Sequence, residues 1–458
     1  MPPRLDHELL PRGEMSRAYG RVDERGNDMT NRQKGMTSRQ RVLIALDHRE
    51  PDRVPLDLGG SLTGMAASTV YRLRQALHLD PPGTPVKVVE PFQMLGELEP
   101  DLLDALGLEP DFASPLGGMT MFGFPLADWK PWTLFDGTPV LVPGLFNTDP
   151  EPDGSIVLYP QGDRSAPPSA RMPVDGYYFD PIVRQQPIVE DELNPVDNME
   201  DFVELPDAAG PLLKQVYDHL WESTDKAIVG SFANVSFGDA AMVPGPSLKH
   251  PKGIRDWAEW YISLLTRPDY VWQVFERQCE VGLANLAKAH AAVGERVHVL
   301  ITSAADFGMQ TGPFIAPRTY RKLFKPFHKA VNDWVHEHTT WKTFMHCCGS
   351  VIDLLPDFVE AGFDILNPVQ CSAAGMDPQR LKDRFGDEIV FWGGGVDTQH
   401  TLPFGTPDEV RAEVRERIRI FGQGGGFVFA TIHNIQAKTP VDNLLALFET
   451  VREYGDYG

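Results

Sequence analysis

The stretch WKTFMHCCGSVIDLLPDFVEAGFDILNPVQ, Trp341–Gln370, decides the fold. WKTFM and FDIL are apolar runs of strand length, and between them Ser350 with Asp353 puts an N-cap before an apolar helical stripe. A strand, a helix and a strand in that order require a crossover, so the two strands lie parallel. The alternation continues on both sides. AIVGSF (227–232), VHVLITS (297–303), EIVFWG (388–393) and FVFAT (427–431) read as further strands. Asp377-Pro378, Thr406-Pro407-Asp408-Glu409 and Thr439-Pro440-Val441-Asp442 read as helix starts. From Arg318 to His338 the residues Tyr320, Leu323, Phe324, Phe327, Val331, Trp334 and Val335 share one helical face, and Pro326 predicts a kink. Nearer the start, SRQRVLIALDH is an amphipathic helix, and VPLDL (54–58) and KVVE (87–90) are apolar enough to be strands. Together the runs predict an α/β chain with the eight strands of a (β/α)8 TIM barrel; a doubly wound open sheet is the other arrangement such a pattern permits.

The remaining text marks boundaries. Residues 1–35 lack aliphatic periodicity and read as a flexible N-terminal arm, so the barrel is expected over 36–458. The segment 132–206, with FDGTPVLVPGLF, DGSIVLYP and DGYYFDP, reads as a β-rich insertion of short strands joined by Pro, Gly and Asp turns. No repeat of fixed period occurs. The 458 residues carry 42 Lys+Arg against 64 Asp+Glu, a net charge of −22. Such a chain lacks the cationic surface that nucleic acid or an anionic membrane requires, and small-molecule chemistry is expected instead. The longest uncharged runs are interrupted by Pro, Gly and His, and the N-terminus has no apolar signal core, so the expected location is cytoplasmic. Four cysteines in a chain of this length make no disulfide framework.

A parallel barrel places its site at the C-terminal ends of the strands, so the polar residues that follow each apolar run are the candidates. Asn234, Asp306, Gln310, His346, Cys348, Asn367, Asp397, His433 and Asn434 all stand there. His346 and Cys348, two apart on a strand, share a face, with Cys347 on the other; thiolate with imidazole is a ligand set that zinc prefers. His433 is the candidate third ligand, which leaves one position open. Buried, structural cysteine and a loop-capping histidine are the alternative reading of the pair. Asp306, with no cation near it in sequence, is a candidate general acid or base, and Asp397 in GGGVDTQ could serve similarly; Gln310 completes the set of candidate catalytic residues. Walker, GxSxG and HExxH motifs are absent, which removes nucleotide hydrolysis, ordinary serine-esterase chemistry and zincin proteolysis.

MTSRQRVLIALDHREPDRVPLDL, ADFGMQTGPFIAPRTYRKLFKP, HCCGSVIDLLPDFVEAGFDILNPVQ, FWGGGVDTQHTLPFGTPDEVRAEV and HNIQAKTPVDN together resemble the uroporphyrinogen decarboxylase superfamily, from about Met36 to Tyr457. That superfamily includes corrinoid-dependent methyltransferases of the methylcobalamin:coenzyme M type. The resemblance implies a (β/α)8 barrel with its site at the C-terminal mouth. The methyltransferase branch binds zinc through an HxC, matched by His346 and Cys348, and a late cysteine, where this chain has His433. The decarboxylase branch has a histidine at that late position, and holds its porphyrinogen carboxylates with arginines just after the first strand. Here that loop is GGSLTGMAASTVYR, with no arginine before Arg72. The resemblance therefore favours a zinc-dependent methyltransferase that takes its methyl group from, or gives it to, methylcobalamin on a separate corrinoid carrier protein, with a small molecule as the other substrate. The DxHxxG run of a resident B12 module is absent. A cofactor-independent decarboxylase, with Asp306 stabilising a protonated intermediate and His433 positioning it, is the alternative; a barrel used only for binding is the third.

Overall fold

Seven parallel strands curl into one sheet in the computed structural model, which describes residues 35–115, 120–232 and 235–457. They are β1 (Phe112–Ala113), β2 (Ala227–Gly230), β3 (Val299–Ser303), β4 (Lys342–His346), β5 (Ile365–Asn367), β6 (Val390–Trp392) and β7 (Phe427–Val428), and each pairs with its neighbour in sequence order. The six runs read from 227 onward each supply one of these strands. The expected arm and Asn234 lie outside the described residues, except that Gly35 is included.

VPLDL makes a single bridge rather than a regular strand, Leu56 to Phe429, parallel to β7. The Asp57 amide donates to the Phe429 carbonyl at 2.9 Å and the Phe429 amide to Pro55 at 2.8 Å; on the other side the Asp111 amide, just before β1, donates to Leu56 at 2.8 Å. The segment thus lies between the two edges of the sheet. Its donors explain why it falls short of a strand: Pro55 has none, and the Leu56 amide is taken by the Asp111 carboxylate at 2.8 Å. That carboxylate, fully buried, also pairs with Arg41 at 2.6 Å and Arg53 at 2.9 Å.

KVVE corrects the expected strand set. Val86–Glu90 belongs to a separate four-stranded sheet with Leu95–Gly96, Pro139–Val142 and Lys130–Thr133. Its alternate residues are buried, the signature of a sheet with one wet face, whereas β5 and β6 are buried at every position. Strand β1, in its place, is only two residues long and has no apolar run to announce it. Within and beside the segment 132–206, short strands run from Lys130 to Pro181, including a second four-stranded sheet that is antiparallel throughout.

Alternation along the strands separates two apolar layers. Phe112, Phe344, Ile365, Val390, Trp392 and Val428 meet inside the curl, with Trp392 at 4.1 Å from Phe112 and 5.1 Å from Phe344 by ring centroids. Met345, Cys347, Leu366 and Phe391 face the surrounding helices. Each such buried side chain contributes about 1.5–3 kcal/mol. The predicted long helix is two, Pro317–Leu323 and Lys325–His338, broken at Phe324. Pro326 has no amide to continue the ladder and sits in the first turn of the second helix, where none is needed. Thr37 with Gln40 and Thr406 with Glu409 form capping boxes at two helix starts.

Candidate metal centre

His346 stands one rung above Phe344 on β4, and Asn367 one rung above Ile365 on β5; the two are register partners. Period-2 alternation therefore puts both side chains over the interior layer, at the C-terminal end of the sheet. Cys348 lies just past the strand, with its Sγ 3.4 Å from Nε2 of His346, while buried Cys347 turns away to accept the Phe307 amide at 3.1 Å. The His433 ring lies 5.3 Å from that of His346, at 61°. One donor atom from each of His346, Cys348 and His433 falls within 4.8 Å of the others. These three sequence candidates are brought together.

His433 does not end a strand, as its place after FVFAT suggests; β7 stops at Val428, and His433 sits in the following loop with φ 67°. Its neighbour fixes that loop. Asn434 accepts the Gly64 amide at 2.6 Å and donates to the Ser61 carbonyl at 3.0 Å and to Gln93 at 2.9 Å. The Cys348 loop is pinned by close backbone contact. Gly349 has φ +80°, and a Cβ on it would lie 2.3 Å from the Gly308 carbonyl carbon, so only glycine allows the two loops to approach.

Asp306 joins the centre through the backbone, accepting the Cys348 amide at 2.6 Å. Gln310 is exposed on the rim and turns to Gln399 at 3.1 Å. Asp397 caps its own turn, accepting the amides of Gln399 at 2.7 Å and His400 at 3.2 Å and pairing with the His400 ring at 2.9 Å. That turn carries Gln399, which also accepts from Gln370 at 3.3 Å; Gln370 in turn accepts the Gly349 amide at 2.8 Å. Among the candidates, then, Asp306 contacts the centre, whereas Gln310 and Asp397 build the rim.

The electrostatics favour neutral donors. Burial, with His346 beside it, pushes the His433 imidazole down to about 3, and burial, with Asp306 beside it, pushes the Cys348 thiol well up. A neutral imidazole is ready to ligate; the thiol would need a nearby cation to ionise, which a bound metal supplies. One sulfur and two ring nitrogens, three donors in all, fit the protein ligand set of a catalytic zinc. Two further groups were missed from sequence. Asp239, in the loop after β2, is pushed to about 7 by burial and by the charge of Asp306. Tyr261, in the helix Trp257–Thr266, has a buried hydroxyl without a hydrogen-bond partner, and its pKa is raised by burial and then by Asp306 and Asp239. Gly238-Asp239 was the available turn signal; nothing in the pattern singles out Tyr261.

A family model described as uroporphyrinogen decarboxylase (URO-D) matches residues 178–454. The chain belongs to the uroporphyrinogen decarboxylase family. Within this family, a uroporphyrinogen decarboxylase of Synechocystis sp. is 25% identical over 310 residues, 66% of this chain and 79% of that protein. One from Coxiella burnetii is 27% identical over 88 residues, 18% of this chain and 24% of that one. Among solved structures, a methyltransferase from Methanosarcina mazei superposes with a TM-score of 0.51 at 17% identity, covering 92% of this chain and 99% of that one; the likeness is one of fold. The family thus includes decarboxylases by name and shares its fold with a methyltransferase.

Proposed function

We propose that the chain is a zinc-dependent methyltransferase of the uroporphyrinogen decarboxylase-like family, moving a methyl group between a corrinoid on a separate carrier protein and a small molecule. The convergence of His346, Cys348 and His433 within 4.8 Å carries this reading, because a decarboxylase without a cofactor has no need of a thiol between two imidazoles. The fold that accompanies it is a (β/α)8 barrel with the VPLDL segment standing in the place of its first strand, one domain with a β-rich insertion. Zinc bound there would supply a Lewis acid that holds an acceptor thiol as its thiolate at neutral pH. His346, Cys348 and His433 would hold it. Asp306 keeps the Cys348 loop in place through the amide and, facing Asp239 and Tyr261, provides a carboxylate that can take up or return a proton from bound substrate. Gln310, Gln370 and Gln399 line the rim with amides that can orient an uncharged or polar substrate. Asp397 acts by shaping the turn that carries Gln399.

The alternative, decarboxylation, has the names of the curated relatives and the histidine at position 433 in its favour. The loop after VPLDL weighs against a porphyrinogen substrate. Its Thr63 carbonyl and hydroxyl are bonded to Gly59 and Gly60, and Arg72 donates to the Thr439 carbonyl at 2.6 Å. A polyanion would find no guanidinium there and would meet a chain of net charge −22. Incubation with uroporphyrinogen is expected to give no coproporphyrinogen, whereas free methylcobalamin with a panel of thiols is expected to give cobalamin demethylation that Cys348→Ser abolishes. Coproporphyrinogen formation, or demethylation unchanged in Cys348→Ser, would reverse the assignment.

A further inference from the structure

Asn367 is fully buried and its amide has two ends with different partners. Nδ2 donates to the Trp392 carbonyl at 2.8 Å, which leaves Oδ1 against Nδ1 of His346 at 2.5 Å. The flipped amide would set Oδ1 against a carbonyl oxygen, two acceptors with no proton between them. With Oδ1 fixed as an acceptor, Nδ1 of His346 must carry the ring proton, and the lone pair is on Nε2. Nε2 is the atom that faces Cys348 Sγ at 3.4 Å.

We propose that Asn367 is the positioning residue of this centre: it selects the His346 tautomer and aims Nε2 at the point where the three donors converge. Trp392, which orients the amide, is itself held twice. Its indole donates to Asp57 Oδ2 at 2.8 Å, and its ring fills the interior layer against Phe112 and Phe344. A line of contacts therefore runs from the 54–58 segment through Trp392 and Asn367 to the donor atom of His346. The amide suits this place better than a carboxylate, which would leave the Trp392 carbonyl without a donor and set two oxygens together. A generic polar residue could fill the space; only one with an acceptor and a donor at opposite ends satisfies both neighbours.

The tautomer stands on the hydrogen bonds alone, while its consequence for metal binding rests on the zinc reading above. Nitrogen-15 NMR of the histidine side chains of the metal-free protein, with His346 assigned from His346→Gln, reads the first; competition for zinc against a chelator reads the second. The wild type is expected to show the Nδ1-protonated tautomer at His346. Asn367→Leu is expected to lose that single tautomer and to bind zinc about 10–100-fold more weakly. Asn367→Asp, which keeps an acceptor for Nδ1, should hold the tautomer and lose less. An Nε2-protonated His346 in the wild type, or an Asn367→Leu zinc affinity within about twofold of wild type, would overturn the proposal. Should the leucine variant not fold, the wild-type tautomer and the aspartate variant decide. A wild type that is Nδ1-protonated but binds no zinc would refute the functional reading and leave Asn367 in its positioning role.

Discussion

Cys348 owes its place to the glycines around it as much as to β4. The strand ends at His346, and from there the chain crosses the Gly308 loop with almost no clearance at Gly349. Gly349→Ala must both tolerate φ +80° and push back the Gly308 carbonyl. It is expected to cost about 1–3 kcal/mol or more in urea unfolding and to weaken zinc binding by moving Cys348; an unchanged unfolding midpoint would show that the crossing is loose. The pair His346 and Cys348 was legible in sequence because alternation alone places both on one face. His433 was legible as a residue but not as a position, since its left-handed loop conformation leaves no trace in hydropathy. Asp397 is a residue whose pattern admits two roles. A carboxylate in VDTQH is as well suited to capping a turn as to catalysis, and here its bonds go to the turn. Asn367 was visible at a strand end, but its role depends on which carbonyl lies beneath it, and that is set by the pairing of β5 with β6.

Among the elements, the seam between β7 and β1 is held by a few backbone bonds of the 54–58 segment and by a buried carboxylate. Asp111 accepts the Leu56 amide and pairs with both Arg41 and Arg53, so one buried carboxylate ties the 54–58 segment to the first helix, Ser38–Leu46, and to β1. Asp111→Ala would leave the Leu56 amide and Arg53 without this acceptor, and Arg41, itself 5% exposed, with Asp52 as its remaining carboxylate partner. The expected loss is about 3–5 kcal/mol, read by chemical denaturation, and faster hydrogen exchange at the Leu56 and Asp57 amides. A loss below about 1 kcal/mol would mean that the seam does not depend on this carboxylate. The strands from 227 onward were readable because burial on both faces leaves uninterrupted apolar runs. The first strands were not: β1 is too short for a run, and VKVVE, with Lys87 on its wet face, belongs to a different sheet. Pro326 announced a disturbance correctly, and the helix breaks at Phe324, just before the turn that holds the proline.

For the whole molecule, buried acids set the pH response. Burial raises Glu90 to about 7, Asp239 to about 7 and Asp57 to about 6. A carboxyl whose folded pKa lies above its unfolded value binds its proton more tightly in the folded state. Its contribution is complete below the unfolded value and is lost as pH rises through the folded one. For Glu90 the interval runs from 4.5 to about 7, and at about 1.4 kcal/mol per pH unit the loss approaches about 3 kcal/mol. Thermal stability of the metal-free protein is therefore expected to peak near pH 5 and to fall toward pH 8, and Glu90→Gln, which removes the titrating proton while keeping an acceptor for one of the Phe92 and Gln93 amides, should flatten that fall. A wild-type stability that rises steadily from pH 5 to pH 8 would contradict it. The composition and the parallel pattern disclosed the class of fold and the end of the sheet where the site lies; the donors that converge there come from segments far apart in the chain, and only the folded arrangement shows that they meet. The most direct test of the account is the zinc content of the purified protein by elemental analysis, beside His346→Ala, Cys348→Ser and His433→Ala. About one zinc per chain is expected in the wild type, lost in each variant; a wild type prepared without chelators that carries no zinc, or variants that keep the wild-type content, would contradict the zinc assignment.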